Sequence, residues 1–358
     1  MLNAIRAALL GAGTLVAMTT PAPAWDYPGH RMVGAIADMV LSKHYKKTHD
    51  AVAKLLTTKD ANGNDLTRTL SQAAVFPDCA KPNSEQYCGR PSSEEEKAYV
   101  KKNPHHSNYH YTDVPLGQPK YVPFSAGTDE YDVVQMINYV VKQLRAKAPK
   151  DKPRLRDVSL TDTEAVWLLA HLVGDIHQPL HVGGIYFDKT TCATSVDPNL
   201  VPGGMVNVAT TNGGNFIELV ALAPAPAVPP TDQLHLFWDS TAVAAAMQAE
   251  GLTGAEQEFA RLLAAEAPAG WQSTEDPGKW AELWVAEIMP MARDAHASSR
   301  ITITPKPPRI SDTGKVTCGW TAAIKPEYNK WASERAREQI QKAGFRLAAL
   351  LVAIFEPQ

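Results

Sequence analysis

The stretch His171-Leu172-Val173-Gly174-Asp175-Ile176-His177-Gln178-Pro179-Leu180-His181 puts three histidines and one aspartate into a single short span. The run leading into it, from Thr161 through Trp167, Leu168 and Leu169, reads as a helix. Thr161 followed by Glu164 has the form of a capping box, in which hydroxyl and carboxylate each close a free backbone donor. Pro179 is the expected stop, because it lacks an N–H and disfavours helix in the residue before it. On that helix His171 and Asp175 lie one turn apart and point from the same face. His181 follows the proline, where the chain can turn back toward them. Imidazole nitrogen with carboxylate oxygen is a donor set that zinc accepts. One such pair is an ordinary helix end. A second pair at the same spacing, His235 and Asp239 on another predicted helix, raises the odds of a metal site.

The chain opens with Arg6, an apolar run from Ala7 to Met18, and Ala22-Pro23-Ala24. This has the form of a secretory leader cleaved after Ala24. The apolar run is too short for a bilayer-spanning helix, and no later stretch qualifies. Leu347 to Phe355 is apolar but short, and is expected as a buried helix end. The expectation is a leader over 1–24 and one catalytic domain over 25–358, exported to the periplasm or beyond and soluble. The net charge is −3, and one unit more negative without Arg6. A mildly acidic protein does not hold long duplex DNA by counterion release. A phosphate-bearing substrate would need its charge met locally, by metal ions or a few cations. In an exported chain the four cysteines suggest two disulfides. Three connectivities are open; the preferred one joins Cys79 to Cys88 and Cys192 to Cys318.

Apolar residues recur at helical spacing from His30 to Leu41, at Val33, Ile36, Ala37, Val40 and Leu41. Short helices are expected over 51–56 and 67–75, the second ended by Pro77 with Asp78 at its exit. Residues 81–108 are charge-rich and read as a surface excursion, and 108–115 as an extended segment ending in proline. Residues 129–146 form an amphipathic helix, with Val133, Met136, Ile137, Val140 and Leu144 on one stripe. A small hairpin is expected between Met205–Thr210 and Asn215–Val220, around Thr211-Asn212-Gly213-Gly214. Helices over 255–266, 276–295 and 326–355 complete an all-α, single-domain reading.

Trp25, His30, Pro77-Asp78, His110-Tyr111-x-Asp113, His171-x3-Asp175-x5-His181, Gly213-Gly214-Asn215 and His235-x3-Asp239 occur in that order. This resembles the S1/P1 nuclease family, secreted zinc enzymes related in fold to bacterial phospholipase C. The resemblance covers residues 25–239. It implies three zinc ions. One takes Asp78, His110, His171 and Asp175; the second shares Asp175 and adds His30 with the terminal amine and carbonyl oxygen of Trp25. The third, more exposed, takes His181, His235 and Asp239. A carboxylate such as Asp175 has two oxygens and can bridge two cations, as imidazole cannot. The resemblance also places Lys81 toward substrate phosphate, Tyr111 under a nucleobase, and Asp113 and Asn215 near the attacking water and the phosphate. His177 is no ligand in that pattern; it bonds a ligand or simply packs. His44, His49, His105, His106 and His296 read as surface or structural.

The activity implied by the resemblance is that of an endonuclease acting on single-stranded DNA and RNA, giving 5′-phosphorylated products, with 3′-nucleotidase activity alongside. Nucleic acid and nucleotides are the implied partners, and a monomer the implied state. Two departures stand out. Phe76-Pro77 precedes Asp78 where the family has Trp-Ala, and the 186–212 loop exceeds the compact family core. The rival readings are a zinc phospholipase C, which uses glutamate where this chain has Asp239, and a zinc-binding protein without turnover. Retention of Lys81, Asp113 and Asn215 speaks against the second rival.

Overall fold

In a computed structural model, every residue from Glu164 to Asp175 is buried, so the helix leading into the His171–His181 span forms the axis of the molecule. The structure describes residues 25–356 apart from 26, 60–62, 83, 221–232, 274 and 312–313. The expected leader therefore lies outside the described residues. A helix apolar on all sides belongs in a core. The Asp162–Asp175 helix packs against Tyr27–His44, Val133–Arg145 and Pro326–Phe355. Its capping box forms: Glu164 N–H donates to Thr161 Oγ1 at 3.1 Å, and Thr161 N–H donates to Glu164 Oε2 at 2.8 Å. The helix ends at Asp175, and Pro179–His181 forms a single 3-10 turn that folds His181 back.

The predicted amphipathic helix spans Val133–Arg145, and the Asp132 carboxylate accepts from Val134 and Gln135 N–H at 3.1 and 3.0 Å. The three C-terminal helices are Glu256–Ala264, Trp280–Ala297 and Pro326–Phe355. Leu347, Leu350, Leu351 and Ile354 are buried, so the apolar end of the last helix faces the core. Among the described residues no helix is long and apolar enough to cross a membrane. The fold is a mainly helical single domain with several small sheets.

The expected 205–220 hairpin does not form. Val208–Thr210 pairs antiparallel with Tyr186–Asp188, and Ile217–Val220 pairs parallel with Trp320–Ile324, which in turn pairs antiparallel with Ile301–Pro305. The reason lies in the intervening turn. Asn212, Gly213 and Gly214 have φ of 52°, 58° and 88°, and three successive left-handed residues coil the chain instead of reversing it. Distant strands then supply the pairing, with buried Trp320 stacked on Phe187 at 4.8 Å.

Pro77 does not end a helix. The Leu70–Ala73 helix stops earlier, and Pro77 sits in the first turn of Phe76–Cys79, where its missing N–H costs nothing. Asp78 thus projects from inside a short helix. Residues 81–108 are more than a surface excursion. Ser93 and Glu96 form a capping box that starts Glu94–Lys102, and Glu96 is buried against Arg90 while Glu94 and Lys97 stay exposed. The disulfides join Cys79 to Cys88 and Cys192 to Cys318, as expected.

Candidate metal centre

Three buried groups of histidine and aspartate present donor atoms within 4.8 Å of one another: His30, His171 and Asp175; Asp78, His110 and His171; His181, His235 and Asp239. The axial helix contributes His171 to the first two groups and Asp175 to the first. Asp175 divides its oxygens between them. Oδ1 lies 3.2 Å from His30 Nε2, while Oδ2 lies 3.1 Å from His110 Nδ1 and 3.2 Å from His171 Nε2. Asp78 reaches the same pair from Phe76–Cys79, with Oδ1 at 3.7 Å from His110 Nδ1 and 3.6 Å from His171 Nε2.

The third group is built on an irregular helix. His235 lies in Leu234–Leu236, and the next turn, Phe237–Thr241, is a π-helix carrying Asp239. Such turns cluster at functional sites. The one-turn spacing survives, with His235 Nε2 at 3.3 Å from Asp239 Oδ2. His181 Nε2 comes within 3.0 Å of His235 Nε2.

Backbone carbonyls decide which ring nitrogen faces each group. His171 Nδ1–H donates to Ala74 O at 2.6 Å, His181 Nδ1–H to His110 O at 2.7 Å, and His235 Nδ1–H to Gly213 O at 2.7 Å. Each ring then presents Nε2, the arrangement by which outer partners orient metal ligands. In neutral His181 and His235 the two Nε2 lone pairs face each other at 3.0 Å, a repulsive contact that a cation between them relieves. A proton is a poor candidate for that cation. Burial, together with the neighbouring His235, holds His181 far below its ordinary value, and burial brings His235 down to about 4. Burial and the Lys81 charge bring His110 to about 3. His171 differs: burial lowers it, but Asp175 and Asp78 outweigh burial and raise it. Burial opposes ionisation of Asp78, yet Lys81 and the neighbouring histidines hold it at about 2. Mostly neutral imidazoles beside ionised carboxylates are the protonation states that metal binding needs. The donor set fits divalent metal.

His30 is fully buried, neither ring nitrogen makes a hydrogen bond, and its ring stacks on His171 at 3.7 Å. Gly174 makes room for it. A Cβ on Gly174 would lie 2.8 Å from His30 Nδ1 and 3.1 Å from Cε1, with both elements fixed in the core. Gly174→Ala is expected to displace the His30 ring and lower metal content by about one ion per chain, with secondary structure retained. Metal analysis and circular dichroism on the purified variant check this; full metal content would show that the ring accommodates the methyl.

The remaining predicted residues surround these groups. Trp25 is fully buried and its indole N–H donates to Gly174 O at 2.8 Å, which brings it beside Asp175. Lys81 Nζ is 2.7 Å from Asp78 Oδ1. His110 closes a turn, the strand is confined to Val114–Pro115, and Thr112 N–H donates to His181 O at 2.8 Å. Tyr111 and Asp113 lie just before that strand, both half-buried. Burial raises the Asp113 carboxyl to about 7. Asn215 is buried, and its Nδ2 donates to Asn212 O at 2.9 Å, so it also braces the turn behind His235. His177 is turned away from the metal groups: it bonds Val173 O and Arg346. His106 and His296 are buried structural histidines.

One side chain that touches a candidate ligand escapes the sequence reading. Gln178 is fully buried, its Nε2 donates to Asp239 Oδ1 at 2.8 Å, and its Oε1 accepts from Leu180 N–H. It ties the turn after the axial helix to the third group. The signal that points to it is an amide lying between two candidate ligands in a segment otherwise apolar.

A family model described as S1/P1 Nuclease matches residues 25–356. No curated protein matches the chain. The match begins at buried Trp25 and ends with the last helix, so the metal groups and the core that positions them all fall within it: the chain belongs to the S1/P1 nuclease family.

Proposed function

We propose that this enzyme is a zinc-dependent endonuclease that hydrolyses single-stranded DNA and RNA to 5′-phosphorylated products and also acts as a 3′-nucleotidase. The observation that carries the reading is Asp175, whose Oδ1 faces His30 while its Oδ2 faces His110 and His171 inside one buried cluster. A close pair of metals with a third nearby suits in-line displacement at phosphorus. Asp78, His110, His171 and Asp175 would hold one ion. Asp175, His30 and the amine and carbonyl oxygen of Trp25 would hold its neighbour, and His181, His235 and Asp239 the third. Bound zinc supplies Lewis acidity toward phosphate oxygens and acidifies water.

The surrounding side chains take the remaining tasks. Tyr111, half-buried beside His110, offers a ring on which an unpaired base stacks, and stacking accepts any base. Asp113, with its carboxyl near 7, exchanges a proton at neutral pH. Lys81 adds positive charge beside Asp78, and the Asn215 amide serves a phosphate oxygen. The two disulfides fit an oxidising compartment and thus the proposed export, with cleavage after Ala24. Asp239 and Tyr111 favour nuclease over phospholipase, and Lys81, Asp113 and Asn215 around the metals favour turnover over metal storage.

The test is the processed protein assayed on single-stranded DNA, RNA, duplex DNA, a 3′-nucleotide and phosphatidylcholine, with and without a chelator, alongside metal analysis. Close to three zinc ions per chain and chelator-sensitive cleavage of single strands are expected. Full activity in a metal-free preparation, or hydrolysis of phosphatidylcholine alone, would overturn the reading.

A further inference from the structure

Beside the third metal group lies a cleft of about 160 Å³ that the metal ligands and their neighbours leave largely unexplained. Its floor is the start of the Ile217–Val220 and Trp320–Ile324 strands, and its wall is the arm that follows Ile301–Pro305. Asn215 and Gln233 are among its lining residues. The two residues flank His235 structurally: Gln233 precedes it by two positions, and Asn215 follows Gly213, whose carbonyl receives His235 Nδ1–H. The cleft thus adjoins the segments that hold His235.

Phe216, next in sequence to Asn215, lines the cleft and is 42% exposed. An aromatic ring left in solvent beside a catalytic centre is unusual in a chain that buries most of its other rings, with Trp320 and Phe187 stacked just behind. Lys306 and Arg309 stand opposite. Lys306 is paired with Glu218 at 2.5 Å, so its charge is half spent. Arg309 is exposed, and among the described residues its side chain has no ion pair. This local positive charge sits on a protein whose net charge is −3. The surface is also held in place. Lys306 N–H donates to Gly319 O at 2.8 Å, Trp320 N–H donates to Phe216 O at 3.1 Å, and the Cys192–Cys318 disulfide anchors the adjoining wall.

We infer that this cleft is a second nucleotide subsite, which takes a base and phosphate of the single strand flanking the scissile bond. Phe216 stacks the base and Arg309 pairs with the phosphate. The inference rests on the nuclease reading and adds to it a preference for substrates longer than one nucleotide. Stacking suits unpaired bases of any identity, so the subsite reinforces single-strand selection without reading sequence.

The experiment compares the metal-loaded enzyme with Phe216→Ala and Arg309→Gln on two substrates, a short single-stranded oligothymidylate and methyl p-nitrophenyl phosphate, a diester with no base and no second phosphate. Phe216→Ala is expected to lower kcat/KM on the oligonucleotide about tenfold. Arg309→Gln is expected to flatten the log–log salt dependence of the oligonucleotide KM by about 0.7. Turnover of the small diester reports on the metal centre and is expected to match the parent enzyme for both variants. Equal losses on both substrates would mean that the variants disturb the metals, and no loss on either would mean that the strand runs elsewhere; each result overturns the subsite. A parent enzyme that cleaves the small diester but no oligonucleotide would instead overturn the nuclease reading, and the subsite with it.

Discussion

Asp175→Asn is expected to remove two metals and essentially all turnover, whereas Asp239→Asn removes one metal and leaves the buried pair in place. Asp175 is fully buried, with one oxygen on His30 and the other on His110 and His171. Asparagine keeps the shape but offers one neutral oxygen and an NH2 group that donates instead of accepting. Loss of a partner that merely orients a ligand costs roughly 10–100-fold in affinity or activity, so loss of a ligand shared by two metals should exceed about a hundredfold. Stability should fall as well, because metal binding and folding are coupled. The comparison needs metal content, thermal midpoint and rate for both variants. Equal loss of activity with unchanged metal in both would contradict the division of Asp175 between two groups.

The second large effect concerns the chain terminus. Protein made with one extra methionine before Trp25 is expected to lack one metal of the buried pair and to turn over slowly, and an aminopeptidase should restore both. Trp25 is fully buried with its indole bonded to Gly174 O, adjacent to Asp175. If export frees the Trp25 amine, that amine is a donor beside His30. With a preceding residue the same nitrogen is an amide, whose lone pair is delocalised into the peptide bond and does not bind metal as a neutral donor. Unchanged metal content and rate in the extended protein would remove Trp25 from the ligand set.

The parts of this fold that are legible in the sequence are those governed by neighbours within a few residues. The capping box at Thr161 and Glu164, the stripe along Val133–Arg145 and the apolar helix end from Leu347 to Phe355 follow from local spacing and composition; the first two form, and Leu347, Leu350, Leu351 and Ile354 of the third are buried. The misreadings concern segments whose partners are distant or whose local role has two solutions. The 205–220 hairpin looks local, but Ile217–Val220 pairs with Trp320–Ile324, about a hundred residues away. Pro77 looks like a stop because proline ends helices, but it also begins them, and position within the first turn is invisible to composition. Glu96 looks solvated within a charge run, yet Arg90 closes over it.

The candidate ligands show the same division. Sequence by itself determined which side chains can bind metal and that His171 with Asp175, and His235 with Asp239, share a face, because one helical turn is a local distance. Tertiary structure alone decided which nitrogen each ring presents. That choice depends on the carbonyls of Ala74, His110 and Gly213, which lie 97, 71 and 22 residues from the histidines they receive. It also decided that the two Asp175 oxygens serve different groups, and that Gly174 must be glycine so that His30 can lie against it. A helical period specifies the direction of a side chain relative to its own axis. It carries no information about which distant segment arrives to meet that side chain, and the packing of the whole chain settles that.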